Sequence, residues 1–81
     1  MFIVKWALRF DDKNPMEVEE SILTDLDEVV SSSKERLYGI RLRYTTNPPD
    51  GFIVFDENGR ELRRWFGPIP IDPSRTGRLK S

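Results

Sequence analysis

A chain of 81 residues has room for one domain with one modest core. At that length only about 60% of the unfolded surface is buried, so the margin of stability is thin. Thirteen Lys and Arg against 14 Asp and Glu give a net charge of −1, and there is no cysteine and no histidine. Those absences exclude disulfides and thiolate metal sites, and remove the commonest general base together with the commonest metal ligand.

The first ten residues, MFIVKWALRF, alternate: Phe2, Val4, Trp6, Leu8 and Phe10 share one side, Ile3, Lys5, Ala7 and Arg9 the other. That period of two predicts a half-buried strand over 2–10. Lys5 and Arg9 interrupt what would otherwise resemble a signal peptide, and no stretch approaches the ~20 apolar residues that cross a bilayer. Neither a membrane nor a cofactor is expected, and lack of cysteine fits the cytoplasm.

Asn14-Pro15-Met16-Glu17 has the spacing of a helix start, with Asn14 as cap and Glu17 closing a capping box. Val18, Ile22, Leu23, Leu26, Val29 and Val30 then recur at helical spacing, predicting a helix from about 15 to 31 that frays in Ser31-Ser32-Ser33. Residues 36–45 alternate again, with Tyr38, Ile40, Leu42 and Tyr44 on one side, and predict a second strand. Asn47-Pro48-Pro49-Asp50-Gly51 breaks it. The segment GFIVFDENGRELRRWF predicts a β-hairpin about Asn58-Gly59. A two-residue turn would pair Phe55 with Leu62. A three-residue turn bulged at Gly59 would pair Val54 with Leu62 and set Asp56 opposite Arg60, keeping Asp56 away from Glu61. Residues 1–67 therefore read as a single α+β domain, β-α-β-β-β, with one amphipathic helix on one face of a four-stranded mixed sheet. Residues 68–81, with three prolines, read as an extended, partly disordered tail laid on the domain through Ile69 and Ile71. Trp6, Leu8, Ile22, Leu26 and Ile40 are the expected core.

Charge is segregated along the chain. Residues 11–28 hold eight acids against Lys13 alone, a net −7; from residue 34 onward ten bases face six acids, a net +4. Glu17, Glu19 and Glu20 would suit the first turn of the expected helix, where the dipole favours anions. Asp25, Asp27 and Glu28 would fall near its unfavourable end, which marks Glu20, Asp25, Asp27 and Glu28 as an acidic recognition face for a basic protein partner. On the expected sheet Lys5, Arg9, Arg41 and Arg43 would form a basic open face, joined by Arg63 or Arg64 according to the hairpin register, with Trp65 or Phe66 turned outward beside those arginines. That face suits nucleic acid as the alternative partner, unless the tail or a second copy of the chain covers it.

Catalytic motifs are missing. The glycines form no phosphate-binding loop, and Ser31, Ser32 and Ser33 have no base beyond Lys34. Asp11-Asp12 and Asp56-Glu57 are turn acids with too few ligands for a cation loop. No motif carries a family resemblance. The expectation is a non-catalytic protein-binding module, such as an inhibitor, an immunity-type protein or a small regulatory subunit.

Overall fold

The computed structural model describes residues 1–67; the expected tail, with Ile69 and Ile71, lies outside the described residues. In chain order the elements are β1 (Phe2–Ala7), β2 (Glu17–Ser21), α1 (Leu26–Arg41), β3 (Gly51–Asp56) and β4 (Glu61–Phe66). The class is α+β with a four-stranded sheet, as expected, but the order is β-β-α-β-β rather than β-α-β-β-β. Strands lie in the order β2-β1-β3-β4 with every neighbouring pair antiparallel, so the sheet is not mixed. β2 and β3 thus run parallel on either side of β1, and α1 is the crossover that joins them.

β1 carries Phe2, Val4 and Trp6 toward the helix, as its alternation predicts, but it ends at Ala7 instead of Phe10. Leu8 O accepts the Asp11 N–H at 3.1 Å, which turns the chain and leaves Phe10 exposed and Leu8 only half-buried. Asn14 belongs to this turn. Its side chain donates to Asp11 Oδ1 at 2.8 Å and caps no helix.

The helix expected over 15–31 is the main correction. Its first part is β2, in which Glu17 and Glu19 alternate onto the helix side, Glu19 meeting Arg36 of α1 and Glu17 meeting Arg43 just beyond its end. Val18 is 57% exposed and Ile22 93%, so the fourfold spacing of Val18, Ile22 and Leu26 was coincidental. The helix starts at Asp25, whose extended backbone (φ −107°, ψ 123°) and side chain, accepting from Asp27 N–H at 3.1 Å, form the cap. Asp27 and Glu28 follow in the first turn, where the helix dipole favours acids.

From there the buried stripe is Val29, Ser33, Leu37 and Ile40, spaced four, four and three. Ser33 interrupts the apolar pattern in sequence, yet is buried mid-helix rather than fraying. The strand expected over 36–45 is therefore the end of α1 and the turn that follows it. Of its alternating set, Ile40 enters the core while Tyr38 and Leu42 are exposed. The helix stops at Leu42, and the Pro48-Pro49 break holds, with Pro49 fully buried.

Val4, Trp6, Phe52 and Val54 from the sheet pack with Val29, Leu37 and Ile40 from the helix, and Leu26 lies half-buried at the margin. The hairpin turn is the three-residue form: Gly59 has φ +87°, Gly59 N–H donates to Asp56 O at 3.0 Å, and Asp56 N–H to Arg60 O at 2.9 Å. The expected pairing of Val54 with Leu62 does not form. Phe55 pairs with Glu61 and Val54 with Arg63, so Leu62 is the extra residue of a second bulge. Gly51 lets β4 close against β3, since a Cβ there would collide with Trp65 O and lie 2.6 Å from Phe66 Cα.

Candidate functional site

The four acids nominated for one helix face do not share one. Glu20 lies on β2, on the sheet face away from the helix, while Asp25, Asp27 and Glu28 sit at the start of α1. There they have local reasons to be acidic. Asp25 is the cap, and Asp27 lies 3.7 Å from Arg63. The dipole argument that singled them out is reversed, because they are at the favourable end.

The basic set is also dispersed. Lys5 and Arg64 lie on the helix-free face of the sheet; Arg63 and Trp65 are on the helix side. Trp65 is half-buried, stacked 6.0 Å from Phe52 with Lys34 Nζ 5.4 Å from its ring centroid. Arg41 and Arg43 lie at the C-terminal end of α1 instead of on a strand. Arg41 Nη1 donates to Pro49 O at 2.6 Å, and Arg43 Nη1 to both Glu17 carboxylate oxygens at 2.8 and 3.0 Å. Arg9 sits in the turn after β1, its guanidinium on Gly67 O and its N–H on Asp50 Oδ2 at 3.1 Å.

Four ion pairs cross the fold: Glu17 with Arg43, Glu19 with Arg36, Asp27 with Arg63, and Asp12 with Arg64. Each joins the acidic stretch 11–28 to a base beyond residue 34. The segregation along the chain is thus turned into contacts between elements, and the folded molecule is not divided into an acidic helix face and a basic sheet face. All four are exposed, so each contributes little stability alone.

Among the described residues, although Ile53 near its centre is buried, no helix or second sheet packs on the helix-free face. Its cross-strand register forms two rows, Val18–Lys5–Ile53–Arg64 and Glu20–Ile3–Phe55–Glu61. The Leu62 bulge sets Glu61 and Arg64, three residues apart, on one face, where a regular strand would oppose them. Arg64 donates to both oxygens of Glu61 at 2.8 and 2.7 Å and to Asp12 at 2.9 Å. Those bonds hold the Glu61 carboxyl below the usual carboxylate range and push the Arg64 guanidinium up. Pro15 from the β1–β2 connection, Ile53, Phe55 and Lys5 line an open groove beside this pair. Lys5 Nζ lies 4.6 Å from the Phe55 ring centroid, a cation–π contact. Val18, placed by its spacing in the apolar stripe of the expected helix, is an exposed apolar residue of this face.

Tyr44 closes the opposite face, its hydroxyl donating to Glu17 at 3.0 Å. Desolvation and that bond raise its pKa. Among the described residues, no three Asp or Glu stand together as a metal site would require, and no helix is long and apolar enough to cross a membrane. Comparison with known proteins found no matching family model, no matching curated protein and no matching solved structure.

Proposed function

We propose that this chain is a non-catalytic protein-binding module that meets its partner through the helix-free face of its sheet. The observation that carries this reading is the exposure of Val18 beside Lys5 and Glu20, on a face with half-buried Ile3 and Phe55. A mixed face with an apolar middle and charged surroundings has the composition of a protein interface rather than of a solvated surface.

The same geometry weighs against the other readings. Binding of phosphate by Arg43, Arg63 or Arg64 would compete with carboxylates already in place. Among the described residues, the lysines of this groove, Lys5 and Lys13, are a weak basis for a nucleic-acid surface, where several phosphate contacts supply the affinity. For catalysis, Glu17, Glu19 and Glu61 are each already hydrogen-bonded to arginine, and in Glu61 those bonds lower the carboxyl below its usual range and leave it a poor base. The sequence also has neither histidine, the commonest activating base, nor cysteine, the most reactive nucleophile.

The test is a photo-reactive amino acid placed at Val18 or, as control, at Tyr38 on the outer side of α1, in the cytoplasm of the native host. Covalent protein adducts at position 18 and none at 38 are expected. Adducts at 38 only, or to nucleic acid instead of protein, would overturn the reading.

A further inference from the structure

We propose that the groove on the helix-free face seats an acidic side chain of a protein partner, carried on an extended segment with an apolar neighbour. The inference rests on the reading of that face as a protein-binding surface and names what it takes. The groove has a volume of about 310 Å³ and lies between the β1–β2 connection and strands β1, β3 and β4. That volume is at the low end for ligand sites, which start at roughly 300 Å³. Its floor is apolar: Ile53 is buried, and Pro15 and Phe55 are half-buried beside it.

The charges around that floor select the ligand. Lys5, Lys13 and Arg64 stand against Asp12 and Glu61, a net +1. Arg64 donates to both Glu61 oxygens and to Asp12 Oδ2, so each acid already has its cation. Neither Lys5 nor Lys13 has an ion-pair partner among the described residues. Lys5 leans over the Phe55 ring, into the groove and away from Glu20, its diagonal neighbour on β2. Lys13 comes from the β1–β2 connection and is exposed. A carboxylate entering the groove therefore meets ammonium groups without displacing a carboxylate already bound. Lysine suits the task, as a point charge on a flexible stem that bends to its ligand. An apolar neighbour on the same segment would cover Pro15 and Phe55, and excluding water there strengthens the charge contact.

A run of phosphates fits less well, because Glu20 and Glu61 stand in the row next to Lys5 and would meet it, whereas a single carboxylate avoids them. Exposure sets the strength. One exposed ion pair changes an affinity by roughly 1.5- to 5-fold, so the two lysines together carry about tenfold.

The experiment is an NMR titration of the ¹⁵N-labelled full chain with an end-blocked Glu-Phe-Glu-Leu-Glu peptide and with the same peptide carrying Gln for every Glu. Acetate and inorganic phosphate are titrated beside them, and the acidic peptide is repeated on Lys5→Gln, Lys13→Gln and the double variant. The acidic peptide is expected to shift the amides of Lys5, Lys13 and Phe55 saturably while α1 stays constant. Its affinity should fall a few-fold in each single variant and about tenfold in the double, and more salt should weaken it. The Gln peptide should bind at least about tenfold more weakly. No saturable shift, equal binding of the two peptides, or a double variant with the parent's affinity overturns the inference. Acetate or phosphate binding as tightly as the peptide also overturns it, since the groove would then hold a small anion and not a protein segment. Should Lys5→Gln disturb β1, Lys13→Gln alone decides, because that side chain is exposed. If the inference fails, protein adducts at Val18 still leave the face a binding surface, and their absence removes that reading as well.

Discussion

Leu37→Ala and Ile22→Ala together decide where the helix lies. Leu37 is 1% exposed in the cluster with Val4, Trp6 and Phe52, whereas Ile22 is 93% exposed between β2 and α1. Truncating a fully buried leucine removes its transfer free energy and leaves a cavity, at a cost of about 3 kcal/mol within a usual span of roughly 2–5. A domain of this size has only about 4–12 kcal/mol in total. With roughly 4–8 °C lost per kcal/mol, Leu37→Ala should lower the melting temperature by about 12–24 °C. Ile22→Ala removes almost no packing and should stay within about 0.5 kcal/mol of the parent, a few degrees at most. Thermal and urea unfolding followed by circular dichroism measure both. If Ile22→Ala proved the more damaging, the helix would run over 15–31 after all and the sheet described here would be wrong.

Gly39→Ala should stabilise by roughly 0.5–1 kcal/mol, because the residue lies in α1 with open space at its Cβ position; a urea midpoint that falls instead would argue that residue 39 is not helical. Gly51→Ala should be strongly destabilising, because its Cβ would meet the backbone of Trp65 and Phe66. Loss of β3–β4 cross-strand nuclear Overhauser effects should accompany it, and a variant as stable as the parent would contradict the close approach of β4. Glu61 should titrate below the usual carboxylate range by NMR and return to it in Arg64→Ala, since the Arg64 hydrogen bonds lower it. A carboxylate lowered on folding stabilises the native state above its unfolded pKa, so this contribution should be present at neutral pH and fade as acid protonates Glu61. An unchanged Glu61 titration in Arg64→Ala would show that the pair does not hold in solution.

What the sequence discloses here follows what local chemistry can encode. The period-two run of Phe2, Val4 and Trp6, the double proline, and the turn at Asn58-Gly59 are each set by neighbouring residues, and all appear in the fold. The helix was displaced because two cues misled together. Val18, Ile22 and Leu26 mimic a helical stripe although the first two face solvent, and Ser33 breaks the true stripe of Val29, Leu37 and Ile40. Tyr38, Ile40, Leu42 and Tyr44 mimic a strand in the same way. The cue that pointed correctly was Asp25 with Asp27 and Glu28, an acidic helix start that the misplaced boundary turned into an anomaly. The charge segregation was legible as a fact but not in meaning, because the pairs Glu17–Arg43 and Glu19–Arg36 exist only once β2 and α1 share a face. The juxtaposition of Val18, Lys5 and Glu20 needed the register of β1 with β2.

The most direct test of the binding face is a series of ¹⁵N-correlated NMR spectra of the labelled full chain recorded as unlabelled protein extract of the native host is added. Shifts that grow at Ile3, Lys5, Val18, Glu20 and Phe55 while α1 stays constant are the predicted result. Shifts that grow instead at Asp27, Glu28 and Tyr38, with β1 and β2 unmoved, would place the contact on the helix and contradict the account.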